Sequence, residues 1–139
     1  QLSLAQSIPI SGGVIVTTPQ IVSKEDATRG LHMFKQLDIP VIGVVENMSY
    51  LKLPDGQVME IFGSGGGEAI AKESNTLLLG QVPIETEVRI SGDIGQPIVI
   101  SNPDSKSAQK LKEISKLIAA QLSIAALTGR SEIEFDVIE

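Results

Sequence analysis

Apolar residues in this chain fall into short runs separated by stretches of helical period. Val14-Ile15-Val16, Val41-Ile42-Gly43-Val44-Val45 and Leu77-Leu78-Leu79-Gly80-Gln81-Val82 are continuous enough to be strands covered on both faces. Gln96 to Ile100 reads as a fourth and last strand, with Pro97 placing it at or near a sheet edge. Leu2, Leu4, Ala5 and Ile8 suit the tail of an amphipathic helix that stops before Pro9. Ala27, Leu31 and Phe34 keep a helical spacing behind Ser23-Lys24-Glu25-Asp26, a capping-box variant. Thr86 to Ile90 predicts a short helix. Leu111, Ile114, Ile118, Leu122 and Ala125 form the stripe of a long final helix capped by Asp104 or Ser105, with Lys106, Lys110, Lys112 and Lys116 on its solvated face. Strands alternating with helices predict an α/β fold, a parallel sheet flanked by helices.

The stretch from Val41 to Gly67 carries the candidate chemistry. Open α/β sheets bind ligands beyond the carboxyl ends of their strands, where Asn47 follows the central apolar run. Its amide can donate and accept, which suits a nucleotide base edge, or it can cap a turn. Thr17 and Thr18 hold the equivalent place after the first strand, and their hydroxyls meet a ligand or, the better reading, cap the next helix. Tyr50 to Leu53 and Gln57 to Phe62 flank Pro54-Asp55-Gly56, a turn in which Pro fixes φ and Gly supplies a positive φ. The resulting hairpin arm is apolar for its length, so it packs either on a partner or on its own domain. Gly63-Ser64-Gly65-Gly66-Gly67 opens a helix, a place where an anion can bind. Glu68, however, takes the third glycine position of a dinucleotide fingerprint, and no Lys-Ser/Thr ending follows. Close backbone packing or a dimer contact is therefore expected there. Asp26 and Arg29 read as a solvated pair, His32 as an exposed helix residue, and Asp93 as a turn-stabilising carboxylate.

Composition narrows the function classes. The 139 residues suffice for one domain, and 42% hydrophobic with 3% aromatic content describes an aliphatic core. A net charge of -6, with 11 basic residues that form no dense patch, argues against nucleic-acid binding. The chain has no cysteine and hence no disulfide framework, its longest apolar runs are strand-sized, and no signal peptide is evident. Membrane insertion is not expected, and the cytoplasm is the simplest compartment. Opening at Gln1 in what reads as mid-helix, the chain is expected to be a piece of a longer protein. The acidic stretch ending EIEFDVIE adds an edge strand or stays loose, which divides the chain into residues 1–127 and a tail, 128–139.

GGVIVTTPQ (Gly12 to Gln20), ENMSY (Glu46 to Tyr50), IFGSGGG (Ile61 to Gly67), LGQVPIE (Leu79 to Glu85) and GDIGQPIVI (Gly92 to Ile100) together resemble the carboxyl-terminal half of the Mrp/ApbC family. These deviant P-loop ATPases, relatives of MinD and ParA, carry iron–sulfur clusters. The likeness runs in unbroken order over about residues 1 to 122. It implies the carboxyl-terminal half of a MinD/Mrp-like P-loop NTPase domain, ATP and Mg in the complete protein, a homodimer, and iron–sulfur client proteins. It also implies that Asn47 with Pro83, Ile84 and Glu85 forms an adenine pocket, and it sets Asp26 toward the dimer-facing side. Two family features are missing. No G-K-G-G-x-G-K-[ST] phosphate loop occurs, so no catalytic residue and no metal ligand is assigned, and the chain as it stands is not expected to hydrolyse ATP. Leu53-Pro54-Asp55-Gly56 stands where the family has Cys-x-x-Cys, so a bridging iron–sulfur cluster of the family's type is not expected. The alternative is a non-enzymatic dimerisation or interaction module derived from such an ATPase.

Overall fold

The computed structural model of the chain describes residues 2–136, with side chains from 3 to 128. Its centre is a three-stranded parallel sheet of β1 (Gly13–Thr17), β2 (Val41–Glu46) and β5 (Leu78–Gln81), in the order β1-β2-β5. Gly13 pairs with Val41 and Thr17 with Glu46, while Val44 pairs with Leu78 and Glu46 with Gln81. Parallel pairing brings the carboxyl ends of all three strands to one rim. The first crossover is α2 (Ile21–Gln36), and the second includes α3 (Gly66–Glu73).

Each face of the sheet has its own core, as the continuous apolar runs require. On one side α2 and α3 cover it, with Ala27 and Leu31 from α2 and Ile70 and Ala71 from α3 packed on Ile15 and Val44. On the other side α6 (Lys106–Asp136) lays Leu111, Ile114 and Ile118 against Val14, Val45, Leu79 and Val82. The expected stripe is thus the packing face of α6. Its Ser105 Oγ accepts the Ala108 N–H at 3.1 Å and caps the helix, as the sequence suggested.

Departures from the expected pattern have identifiable causes. Gln96 to Ile100 is no strand, because Ile98–Ser101 forms a single helical turn, α5, that packs with α6 and with α4 (Thr86–Asp93). Pro97 gives the turn its fixed φ of -54°, and its carbonyl accepts the N–H groups of Ile100 and Ser101 at 2.9 and 3.0 Å. A four-residue apolar run fits a buried turn as well as a strand. The capping box at Ser23 is also absent, since α2 begins earlier, at Ile21 after Pro19. Ser23 instead pairs its hydroxyl with that of Thr18, while Thr17 Oγ1 donates to the Thr18 and Ser23 carbonyls at 3.2 and 3.4 Å. From Thr128 the backbone continues as helix to Asp136, where an edge strand or loose tail was expected. The alternating side chains of that stretch lie outside the described ones. Residues 2–7 form the short helix α1 (Leu2–Ser7). Among the described residues no helix is long and apolar enough to cross a membrane.

Candidate functional site

The strand-end rim is where sequence and geometry converge. Beyond β2 the chain runs Glu46-Asn47-Met48-Ser49, and beyond β5 it runs Val82-Pro83-Ile84-Glu85. The two segments continue side by side. Val82 donates its N–H to the Glu46 carbonyl at 2.8 Å, Ser49 to Val82 at 2.9 Å, and Ile84 to Tyr50 at 2.7 Å. On the other flank Asn47 donates its N–H to the Thr17 carbonyl at 2.7 Å. Asn47 is therefore held by backbone between β1 and the 82–85 segment, and its side chain is exposed. The Asn47 Oδ1 accepts the N–H of Met48 at 2.9 Å, so the turn use of the amide and its availability at the rim coexist.

The 82–85 segment is more occupied. Pro83 is buried, and its carbonyl accepts the Ser107 hydroxyl at 3.3 Å. The Glu85 carboxylate is engaged at the start of α6, accepting the N–H of Lys106 at 3.3 Å and of Ser107 at 2.7 Å. This seats a negative charge on the positive end of the helix dipole. An open cavity of about 540 Å³ beside the rim takes in Asn47 together with Val16 of β1, Thr18 just after it, Leu4 of α1 and Phe34 of α2, and none of Pro83, Ile84 and Glu85.

The residue that sequence reasoning passed over is Glu46. Its side chain is fully buried, and three groups converge on its carboxylate. Ser49 Oγ and Gln81 Nε2 donate to Oε1, the latter at 2.9 Å, and the Gly67 N–H donates to Oε2 at 2.6 Å. A charged residue closing a continuous apolar strand, with a glycine cluster further on, is the available signal. Close approach accounts for two of the glycines, to Glu46 at Gly67 and to Pro19 at Gly66. A Cβ at Gly67 would sit 2.8 Å from the Glu46 Cβ, and one at Gly66 would sit 2.7 Å from the Pro19 carbonyl oxygen. Close packing explains this end of the cluster, and the first turn of α3 already faces an internal anion.

The arm forms as the turn sequence requires. Leu51–Lys52 (β3) pairs antiparallel with Val58–Met59 (β4) around Gly56, whose φ is +87°, and Asp55 Oδ1 accepts the Gln57 N–H at 3.0 Å. Val58, Met59 and Ile61 are exposed on it. Asp26, Arg29 and His32 stand as the sequence suggested, and Asp93 does not. Asp26 and Arg29 pair at 3.4 Å on the surface, and His32 is exposed. Asp93 lies in α4 and meets Arg89 at 2.7 Å, an i,i+4 pair and not a turn contact. Among the described residues no group of His, Asp or Glu is placed to hold a metal ion.

Residues 1–119 match the model of a ParA-type family described as NUBPL iron-transfer P-loop NTPase. The chain is 56% identical over 130 residues to an iron-sulfur cluster carrier protein of Synechocystis, a match covering 91% of this chain and 36% of the relative. It thus spans little more than a third of that relative's length. In three dimensions it resembles the cell division ATPase MinD of Pyrococcus furiosus, with a TM-score of 0.63 at 21% identity over 79% of this chain and 43% of that one. It also resembles a nucleotide-binding protein of Archaeoglobus fulgidus solved in complex with ADP, with a TM-score of 0.62 at 26% identity over 76% and 42% of the two chains.

Proposed function

The chain belongs to the NUBPL-type family of iron-transfer P-loop NTPases, and from that premise we propose that it supplies the base-binding side of an ATP site in an Mrp-type ATPase. The observation that carries this reading is the exposed Asn47 amide, held at the strand-end rim by the backbone of β1 and flanked by the 82–85 segment. An amide so held can donate to and accept from one base edge. In this reading Pro83, Ile84 and Glu85 contribute backbone and apolar contact to the adenine, while the Glu85 carboxylate holds α6 in place behind them.

Nothing in this stretch fits the phosphates. The amino end of α3 faces the Glu46 carboxylate at Gly67, and the amino end of α6 faces Glu85. A further anion at either place would meet like charge. The phosphate loop, the Mg ligands and the residue that positions the attacking water therefore belong to a segment outside this chain. ATP with Mg would supply phosphoanhydride hydrolysis, and this chain's part is to select and orient the base.

The family role makes an iron–sulfur cluster the cargo and its acceptor proteins the clients. No thiolate is available here, and in the arm Asp55 is engaged by the Gln57 N–H, so cluster ligands would come from elsewhere. A homodimer that buries Val58, Met59 and Ile61 of the arm completes the reading. The second reading, a non-enzymatic interaction module, draws on that same exposed arm together with the absence of cysteine. Titration of the complete gene product with Mg-ATP and Mg-GTP separates the two. Preferential ATP binding that Asn47→Ala reduces about tenfold, the equivalent of about 1.4 kcal/mol, supports the ATPase reading. No nucleotide binding would leave the interaction module.

A further inference from the structure

The turn that presents Asn47 carries backbone strain. Met48 has φ +53°, in the left-handed region where a side chain costs roughly 1–2 kcal/mol. Such a conformation persists only where its surroundings fix it. Here the fixing is done from both sides of Met48. The Asn47 N–H is bound to Thr17, and Ser49 is bound twice, by its N–H to Val82 and by its hydroxyl to the Glu46 carboxylate three residues back. The same carboxylate is itself held by the Gly67 N–H and by Gln81, so it cannot follow the turn if the turn relaxes. Without the hydroxyl bond, the Ser49 N–H alone would hold the far side of Met48, and the left-handed turn that aims the Asn47 amide would be less fully populated.

We infer that Glu46 is a positioning residue for base recognition, acting through Ser49 to hold Met48 left-handed and so to aim the Asn47 amide. It touches no nucleotide in this account, and the inference rests on the reading of Asn47 as the base contact. It also explains why a carboxylate is buried at the end of an apolar strand. Three donors from three separate segments converge on it, which an apolar residue could not satisfy.

The test uses the complete gene product and reads the ratio of Mg-ATP to Mg-GTP affinity by calorimetry. Ser49→Ala removes the tether with little loss of packing and is expected to lower the ratio about fivefold, a difference of about 1 kcal/mol, while the protein still unfolds cooperatively. Adding Met48→Gly makes the left-handed turn inexpensive, so the double variant is expected to regain most of the preference. Glu46→Gln can keep its oxygen on the Gly67 N–H and turn its NH2 to the Ser49 hydroxyl, which then accepts, and to the Gln81 oxygen once that amide turns over. The link to Ser49 thus survives with its direction reversed, and the ratio is expected to stay within about twofold of wild type; a loss as large as that of Ser49→Ala would contradict this. If Asn47→Ala leaves the ratio unchanged, the pocket reading fails and this inference fails with it. If Asn47→Ala lowers the ratio but Ser49→Ala does not, or lowers both affinities equally, the pocket stands and Glu46 merely supports the fold.

Discussion

At the scale of single residues, Glu46 illustrates how a polar group can be a fixed point of an otherwise aliphatic core. Its three hydrogen bonds join β2 to the turn after it, to the start of α3 and to the end of β5. Glu46→Ala leaves the Gly67 N–H buried without a partner and opens a hole, so urea unfolding of the complete gene product should show a loss of about 3 kcal/mol. Glu46→Gln should cost about 1 kcal/mol, because the Gly67 N–H keeps an oxygen partner while the contacts of the other oxygen must reverse their direction. Equal losses for the two variants would contradict the hydrogen-bond account. Glu113 gives the opposite case, a surface charge. Its hydrogen bond to Lys110, together with the charge of Lys110, holds its carboxyl below the ordinary value of 4.5, and Lys116 adds to this against a small effect of burial. A lowered folded-state value stabilises the fold above the ordinary value, and that contribution is lost as pH falls from the ordinary value through the lowered one. The melting temperature of Glu113→Gln should thus lie slightly below wild type near neutral pH and coincide with it in strong acid. Asn47 was legible as a candidate from its place after a strand. Glu46 was not, because a lone acid next to an apolar run gives no hint that its partners lie 21 and 35 residues further on.

At the scale of elements, the amino end of α6 is fixed from within and from outside. Ser105 caps it locally, and Glu85 reaches across from the rim to its first N–H groups. Glu85→Ala should destabilise the fold by about 1 kcal/mol in urea unfolding, with Glu85→Gln costing less because it keeps an acceptor. A neutral Glu85→Ala would mean that Ser105 alone suffices. Strands β1, β2 and β5 were readable because short continuous apolar runs, β-branched in β1 and β2, leave little choice. The hairpin was readable because Pro54-Asp55-Gly56 encodes its own turn. The Pro97–Ser101 turn was not, since its conformation depends on packing with α4 and α6 and the local run is too short to decide. The start of α2 shifted for a similar reason, as Thr18 and Ser23 satisfy each other and leave no hydroxyl for a standard cap.

At the scale of the whole molecule, β1 is an edge of the sheet among the described residues, and beside it lies the open cavity that reaches Asn47. An exposed strand edge with Val16 63% exposed is a surface that another segment or chain would cover. The family likeness and the fold class were legible from a series of short motifs in order, and both are shown by the comparisons. How the rim functions was less so, because no phosphate loop occurs in this sequence to mark a nucleotide site. If the arm is a dimer surface, Val58→Lys with Ile61→Lys should shift the complete gene product to a smaller species in sedimentation velocity; an unchanged species would remove the arm from the interface.

The role proposed for this chain is to hold the base of a nucleotide whose phosphates are bound elsewhere. Its most direct test is photolabelling of the complete gene product with 8-azidoadenosine triphosphate and Mg, followed by peptide mapping. The account predicts that label falls on the peptides containing Asn47 or Pro83 to Glu85 and is displaced by ATP in preference to GTP. Label confined to other peptides, or label that ATP does not displace, would contradict it.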